Sequence, residues 1–325
     1  MFRRSVLALI AASAALLLGA AARASASLPA RGAASTRVLT DEVGRRVTIR
    51  GKVRRIVTLS PDLTETIYAL GLQNELVGDT DYCDTPPAAK LKPHVGSARE
   101  PNLEAVIALH PDLVLASGTI NWLQTVEALT RAGLAVYTAY PRTVDGMLTS
   151  FEHIADAAGA APRGVALEAN LRKRLAAVHS ALAGSPAARV LFVEWESPLM
   201  TIGRNTFIAD ALRRAGAESV IESRQNWPDI SIEEALRLQP DYIIFPADSG
   251  ESSAHRLAEL RAQSGWDALD AVKLGRVEVV SQQIERPSVG LVDVIEKLAH
   301  DLHPGAFAEH ASAAGCEGNG GACAL

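Results

Sequence analysis

Apolar residues along this chain fall into two alternating signatures: short continuous runs rich in β-branched side chains, and longer stretches in which Leu, Val and Ile recur every three or four positions. The runs at 55–59 (RIVTL), 75–78, 134–138, 189–194 and 277–280 predict buried strands. Helical spacing predicts helices from Ser60 to about Leu70, over 122–131, 144–158 and 205–215, near 254–262, and over 288–302. Ser60 and Asn205 read as N-caps, and Gly71, Gly133 and Gly216 as stops. A hairpin is expected over 37–49, turning at Glu42-Val43-Gly44.

The longest predicted helix covers 162–183. It opens on Pro162, suited to a first turn whose N–H groups lack partners anyway, and continues in good helix formers until Gly184-Ser185-Pro186. Leu171, Leu175, Val178 and Leu182 form one apolar stripe, while Arg172, Lys173 and Arg174 point elsewhere. At 1.5 Å per residue it reaches roughly 33 Å, enough to join two domains.

Two domains are expected because one segment occurs twice. Residues 102–116 (NLEAVIALHPDLVLA) match 231–247 (SIEEALRLQPDYIIFPA) at a constant offset of 129: Leu103 with Ile232, Glu104 with Glu233, Leu109 with Leu238, Pro111-Asp112 with Pro240-Asp241. Each copy reads as a short helix, a Pro-Asp turn and a buried strand, one step of a parallel sheet. The fold class is therefore α/β, with two small parallel-sheet lobes at 37–143 and 187–305. Connecting helices at 144–184, including the long spine helix, join them.

With 325 residues, 48% hydrophobic and 21% charged, the chain has ordinary globular composition. Its first residues read as an export signal over 1–26: Arg3 and Arg4, an apolar run from Val6 to about Ala22, then small residues for cleavage. Loss of Arg3, Arg4 and Arg23 takes the formal charge from −5 to −8, and an acidic protein is a poor partner for nucleic acid. Export makes one disulfide possible; Cys316 and Cys323, close together in a Gly/Ala-rich tail expected to be mobile over 306–325, would form it and leave Cys83 a free thiol.

Catalytic signatures are missing from the sequence: it contains no G-x-S-x-G, Walker glycines, H-E-x-x-H or C-x-x-C. No histidine stands in a recognisable relation to Ser60 or Cys83, and His300 and His303, three apart on the last helix, are too few ligands for a metal and read as exposed helix residues. No catalytic role, metal or cofactor is expected. Aromatic residues do recur at predicted strand ends and loops: Tyr82 in DTDYCD, Trp195 after RVLFVE, and Trp227 before the second duplicated helix. Ligands of α/β lobes sit at the carboxyl ends of parallel strands, so these three could line one cleft, with Arg286 of IERPS as a polar contact.

The segments RIVTLSPDLTETIYALG, DYCDTPPAAKL, PNLEAVIALHPDLVLA, NWPDISIEEALRLQPDYII and ERPS, in this order and spacing, resemble the periplasmic substrate-binding proteins of ABC importers whose lobes are joined by a rigid helix. That class captures cobalamin, haem and ferric siderophores, and the resemblance, over about 37–303, is closest to its cobalamin-binding members. It implies a monomer that holds a corrinoid between its lobes with little hinge motion and delivers it to a permease dimer with ATPase subunits. Tyr82, Trp195, Trp227 and Arg286 fall where those members meet the corrin, and Glu104 and Glu233 where the family contacts its permease, one glutamate per lobe. The sequence departs from the pattern at Ala98 and Ser117, where those members carry aromatics. At Ser97, haem-binding relatives carry a tyrosine that ligates iron. A receptor for a ferric siderophore or other metal chelate is the alternative, with a periplasmic enzyme or a ligand-free subunit on the same lobes behind it.

Overall fold

The computed structural model describes residues 36–247 and 250–307. The export signal, Cys316 and Cys323 lie outside these residues. Two strands, β1 (Thr36–Thr40) and β2 (Arg46–Arg50), pair at the start. Their turn is closed by Asp41, whose buried carboxylate accepts from the Arg45 amide at 2.7 Å and pairs with its guanidinium at 2.6 Å.

The first lobe is a parallel sheet of β3 (Ile56–Thr58), β4 (Leu76–Gly78), β5 (Leu113–Ser117) and β6 (Val136–Ala139), in the order β4-β3-β5-β6. Its helices are α1 (Pro61–Ala69), α2 (Leu103–Ala108) and α3 (Leu123–Arg131). Beyond α4 (Val144–Ala157) and α5 (Ala161–Ala181), a second parallel sheet has β7 (Ala188–Phe192), β10 (Ala217–Ser219), β11 (Tyr242–Ala247) and β12 (Val277–Ser281), in the order β10-β7-β11-β12. Between β7 and β10 stand an antiparallel hairpin, β8 (Trp195–Glu196) with β9 (Leu199–Met200), and α6 (Phe207–Arg214). The second lobe is completed by α7 (Ile232–Leu238), α8 (Ser253–Ala262), α9 (Asp270–Lys273) and α10 (Gly290–Leu302).

The duplicated segments become α2–β5 and α7–β11, equivalent strands in two sheets of the same order. Asn102 and Ser231 cap the two helices, accepting from Ala105 N and Glu234 N. Both helices end on a non-glycine residue at positive φ, His110 at 44° and Gln239 at 43°, again 129 apart. The last helical carbonyls meet an arginine each time: Arg55 donates to Leu109 and His110, and Arg189 to Leu238 and Gln239.

The long helix lies one residue from its predicted start, and its Leu171, Leu175 and Val178 stripe is buried. The connection is nevertheless a pair of helices rather than one. The first half of α4 (Val144, Met147, Leu148, Phe151) belongs to the core of the second lobe, while its last turns (Ile154, Ala155, Ala157) belong to that of the first. Gly164 lets α5 approach so closely that a Cβ there would stand 2.5 Å from that of Ala155. Outside the stripe, Arg174 pairs with Asp293 and Glu296 of α10, and Arg172 with Glu168 and Asp145.

Several local expectations are corrected. Ser60 holds the N-cap backbone position of α1, but its hydroxyl makes no capping hydrogen bond. The cap of α6 is Thr206, not Asn205, because its hydroxyl reaches Ala209 N at 3.1 Å. His303 is tied to the Gly216 carbonyl at 2.9 Å, and His300 stacks on Phe307 with centroids 3.6 Å apart. Phe307, expected within the tail, packs against the second lobe's core. No helix among the described residues is long and apolar enough to cross a membrane.

Candidate functional site

The carboxyl ends of the parallel strands open into a cleft of about 980 Å³, within the range of small-molecule sites. Its first wall comes from the starts and loops of lobe one: Pro61 and Asp62 of α1, Tyr82, the loop Ser97-Ala98-Arg99, Gly118 to Ile120 after β5, and Tyr140 to Arg142 after β6. The second comes from lobe two: Glu194 after β7, Asn205 to Ile208, Asn226 and Trp227, and Glu285 to Pro287. A hollow of about 520 Å³ adjoins it, lined by Asp81, Cys83, Asp84, Lys90, His94 and Gln282 and sharing Tyr82 and Arg286 with the cleft.

Of the four residues expected to meet a ligand, Tyr82, Trp227 and Arg286 line this one cleft. The Tyr82 and Trp227 rings stand free, 67% and 47% exposed. Trp195 does not line it. It sits on the β8–β9 hairpin, 59% exposed, with its indole N–H donating to the Ser197 carbonyl at 3.0 Å. Tyr140 and Phe207 are cleft aromatics that the sequence reading passed over. Tyr140 directly follows β6, so the strand-end rule that selected Trp195 would have found it. Gly118 lies under it, where a Cβ would come within 2.8 Å of the ring.

Short-range constraints hold each wall. Asn121, buried, donates to the carbonyls of Leu59 (2.9 Å) and Ala98 (2.6 Å) and accepts from Ser117 N (2.6 Å), tying three strand-end loops together. Ala98 lines the cleft as expected of that loop, whereas Ser117 is buried behind it. In lobe two, Gly203 accepts no substitute: a Cβ would overlap the Gln225 carbonyl oxygen at 1.8 Å. Its N–H donates to Asn226 O at 2.9 Å and fixes the bend that presents Trp227.

Charge in the cleft is mixed. Arg286 lies 3.7 Å from the buried carboxylate of Glu65, which also accepts from Gln283 Nε2 at 3.1 Å, so a polar bridge joins α1 to the segment before α10. Burial pushes the Glu65 carboxyl above its ordinary value, and pushes Asp62, one turn earlier, up to about 6. Glu194 is raised by burial as well, and its Oε2 is enclosed with no hydrogen-bond partner. In the adjoining hollow, His94 Nδ1 contacts Asp79 Oδ1 at 2.7 Å, and burial raises that aspartate to about 6. Cys83 is 1% exposed and unpaired, its sulfur against the Thr64 and Thr80 hydroxyls, and desolvation raises its thiol. Among the described residues, no three His, Cys, Asp or Glu side chains converge to hold a metal ion.

Glu104 and Glu233 are not part of the cleft lining and occupy matching first-turn positions on α2 and α7. Both are exposed, and neither forms an ion pair with a described residue. Glu233 is held below the ordinary carboxylate range by its own backbone N–H and by Ser231.

Residues 56–283 match the model of the periplasmic binding protein family, and the chain belongs to that family. It is similar to an uncharacterized ABC transporter substrate-binding lipoprotein of Bacillus subtilis, with 29% identity over 83% of this chain and 87% of the relative. The periplasmic vitamin B12 binding protein of Vibrio cholerae superposes with a TM-score of 0.68 at 26% identity, covering 78% of this chain and 97% of that structure. A periplasmic heme binding protein from Pseudomonas aeruginosa is equally near, with a TM-score of 0.69, 27% identity, and coverage of 78% and 94%. These are binding proteins of transporters, not enzymes.

Proposed function

We propose that this protein, exported to the periplasm by cleavage of residues 1–26, captures cobalamin or a related corrinoid in the cleft and delivers it to an ABC importer. The observation that carries the reading is a single cleft of about 980 Å³ bearing two free aromatic faces, Tyr82 and Trp227, from opposite lobes, with Tyr140 and Phe207 beside them. Two facing walls with aromatic surface suit a large flat macrocycle, each ring contributing on the order of 1 kcal/mol beyond buried area. Similarity to the vitamin B12 binding protein supports the corrinoid; similarity to the heme binding protein supports haem just as well on fold alone. Ser97, standing in the cleft wall where haem-binding relatives carry a tyrosine, tips the reading toward the corrinoid. In this reading Tyr82, Trp227 and Arg286 contact the cargo, Trp195 has no part in the cleft of this conformation, and Glu104 and Glu233 dock the permease.

Titration calorimetry of the mature chain with cyanocobalamin, cobinamide, haem and a ferric siderophore tests the cargo. One corrinoid per chain is expected, with clear weakening in Trp227→Ala. Heat with haem or the siderophore and none with either corrinoid would overturn the reading in favour of another metal chelate.

A further inference from the structure

The cleft holds two carboxylates that the aromatic walls do not explain, one on each lobe. Glu194 belongs to the lining; its Oε2 is enclosed without a hydrogen-bond partner, and no hydrogen bond from a described residue falls on the rest of its half-buried carboxylate. Asp62 is buried in the facing wall, where its contacts are the Ser60 side chain and its own backbone N–H; no cation among the described residues lies within ion-pair distance of it, and the nearby Arg286 is paired with Glu65. A desolvated carboxylate oxygen without a partner is costly, and the cost is recovered only when a donor arrives. No described residue supplies that donor to the Glu194 carboxylate, so in this reading it comes with the cargo.

Resting on the corrinoid reading above, we infer that Glu194 and Asp62 determine specificity within the cleft: from opposite lobes they accept N–H donors of the cargo's peripheral carboxamides and reject cargoes that present carboxylates there. A corrinoid carries primary carboxamides around its ring, each with two N–H donors, whereas haem carries propionates. A carboxylate brought against Glu194 or Asp62 meets like charge in a poorly solvated wall and leaves the protein's acceptors unsatisfied, the situation in which a polar site discriminates most strongly. The rim is built the other way. Arg99 and Arg142 line the same cleft, are exposed, and form no ion pair with a described residue, so an anionic group such as a corrinoid's phosphodiester is accepted at the edge while the enclosed walls take donors.

The test uses the mature chain, cyanocobalamin, and its isomeric monocarboxylic acids, in each of which one side-chain carboxamide is hydrolysed to a carboxylate. Affinities are measured by calorimetry for wild type, Glu194→Gln and Asp62→Asn, all of them first checked for an intact thermal transition. Wild type is expected to bind at least one monocarboxylic acid about tenfold or more weakly than cyanocobalamin. One of the two variants should bring that isomer back toward parity while losing affinity for cyanocobalamin, because an amide side chain can donate to the new carboxylate. Wild type that binds every isomer as tightly as cyanocobalamin, or a preference that survives in both variants, overturns this inference and leaves the corrinoid reading standing. Wild type that binds haem or a siderophore but no corrinoid overturns both.

Discussion

Lobe one and lobe two share strand order, the α2–β5 and α7–β11 step, and a left-handed residue at the same place in that step, but they bury different chemistry. Of the buried polar side chains among the described residues, all except Ser150, Thr201 and Ser288 precede residue 144. Lobe one lays a polar network across its strand ends: Thr58 to Thr64 at 2.6 Å, Thr64 and Thr80 to Cys83, and Asn121 across three loops. Lobe two has an apolar cluster that includes Leu191, Val193, Ile221, Phe245 and Trp266, and reaches the cleft through Glu194, the start of α6 and the segments before α7 and α10. A duplicated scaffold thus constrains backbone turns more tightly than it constrains the interior. One lobe became a hydrogen-bonded platform and the other an apolar block.

The largest test of that contrast is pH. Asp62 keeps its proton in the folded state up to about 6, against 3.8 for a free carboxyl, so between those values the folded chain binds more protons than the unfolded one. Stability contributed by this group therefore falls as pH rises through that window, and the ionised group costs up to about 3 kcal/mol above it. Asp79, also raised to about 6, acts in the same direction from the same lobe. Asp62→Asn should raise the melting temperature at pH 7 and make no difference at pH 3.5. A variant that melts with wild type across the whole range would show that the platform solvates this carboxylate adequately.

The duplicated aspartates give a smaller, sharper comparison. Asp112 accepts from two backbone N–H groups, Arg54 at 2.8 Å and Arg55 at 3.0 Å; Asp241 accepts from Arg189 alone, at 3.1 Å. Denaturant unfolding should register about 2 kcal/mol for Asp112→Ala and about 1 kcal/mol for Asp241→Ala. Equal losses would mean that the shared turn, and not the number of hydrogen bonds, sets the energy.

These elements also show what the sequence made legible. A constant offset of 129 marks equivalent backbone positions, so it carried the helix–turn–strand step and the Pro-Asp turns of both lobes, while the strand order had no such mark. Helical periodicity placed α5 because its Leu171, Leu175 and Val178 stripe is buried in the core of the second lobe. The same signal could not show that α4 serves two cores, since a periodic stripe says which face is covered and nothing about by what. Tyr82, Trp227 and Arg286 were legible as strand-end and loop residues of the right chemistry. Trp195 met the same rule yet stands outside the cleft lining on β8, and the two-residue strands of that hairpin are too short to have left a pattern that would reveal it. Asp62 and Glu194 were invisible for another reason: a carboxylate next to a proline or a tryptophan reads as surface, and its burial is decided by loops distant in sequence.

The smallest effects on the fold are expected at Glu104 and Glu233, and there the two lobes should differ in stability but agree in function. Each glutamate sits in the first turn of its helix, where a negative charge is favoured by the helix dipole, so a purely structural role is a complete rival explanation. The rival predicts an unequal pair. Glu233 is hydrogen-bonded to its own backbone N–H and to Ser231, while no such contact holds Glu104, whose helix is capped by Asn102. Glu233→Lys should therefore lower the melting temperature more than Glu104→Lys. The docking proposal predicts an equal pair, because in it each lobe would meet one half of a dimeric permease and an introduced lysine would oppose basic partners on either side. In proteoliposomes, both single variants should impair stimulation of the transporter's ATPase to a similar degree, and the double variant should abolish it, with cargo affinity unchanged in all three. Stimulation that tracks the melting temperatures, strong loss in Glu233→Lys and none in Glu104→Lys, would assign the glutamates to their helices and remove them from the permease interface.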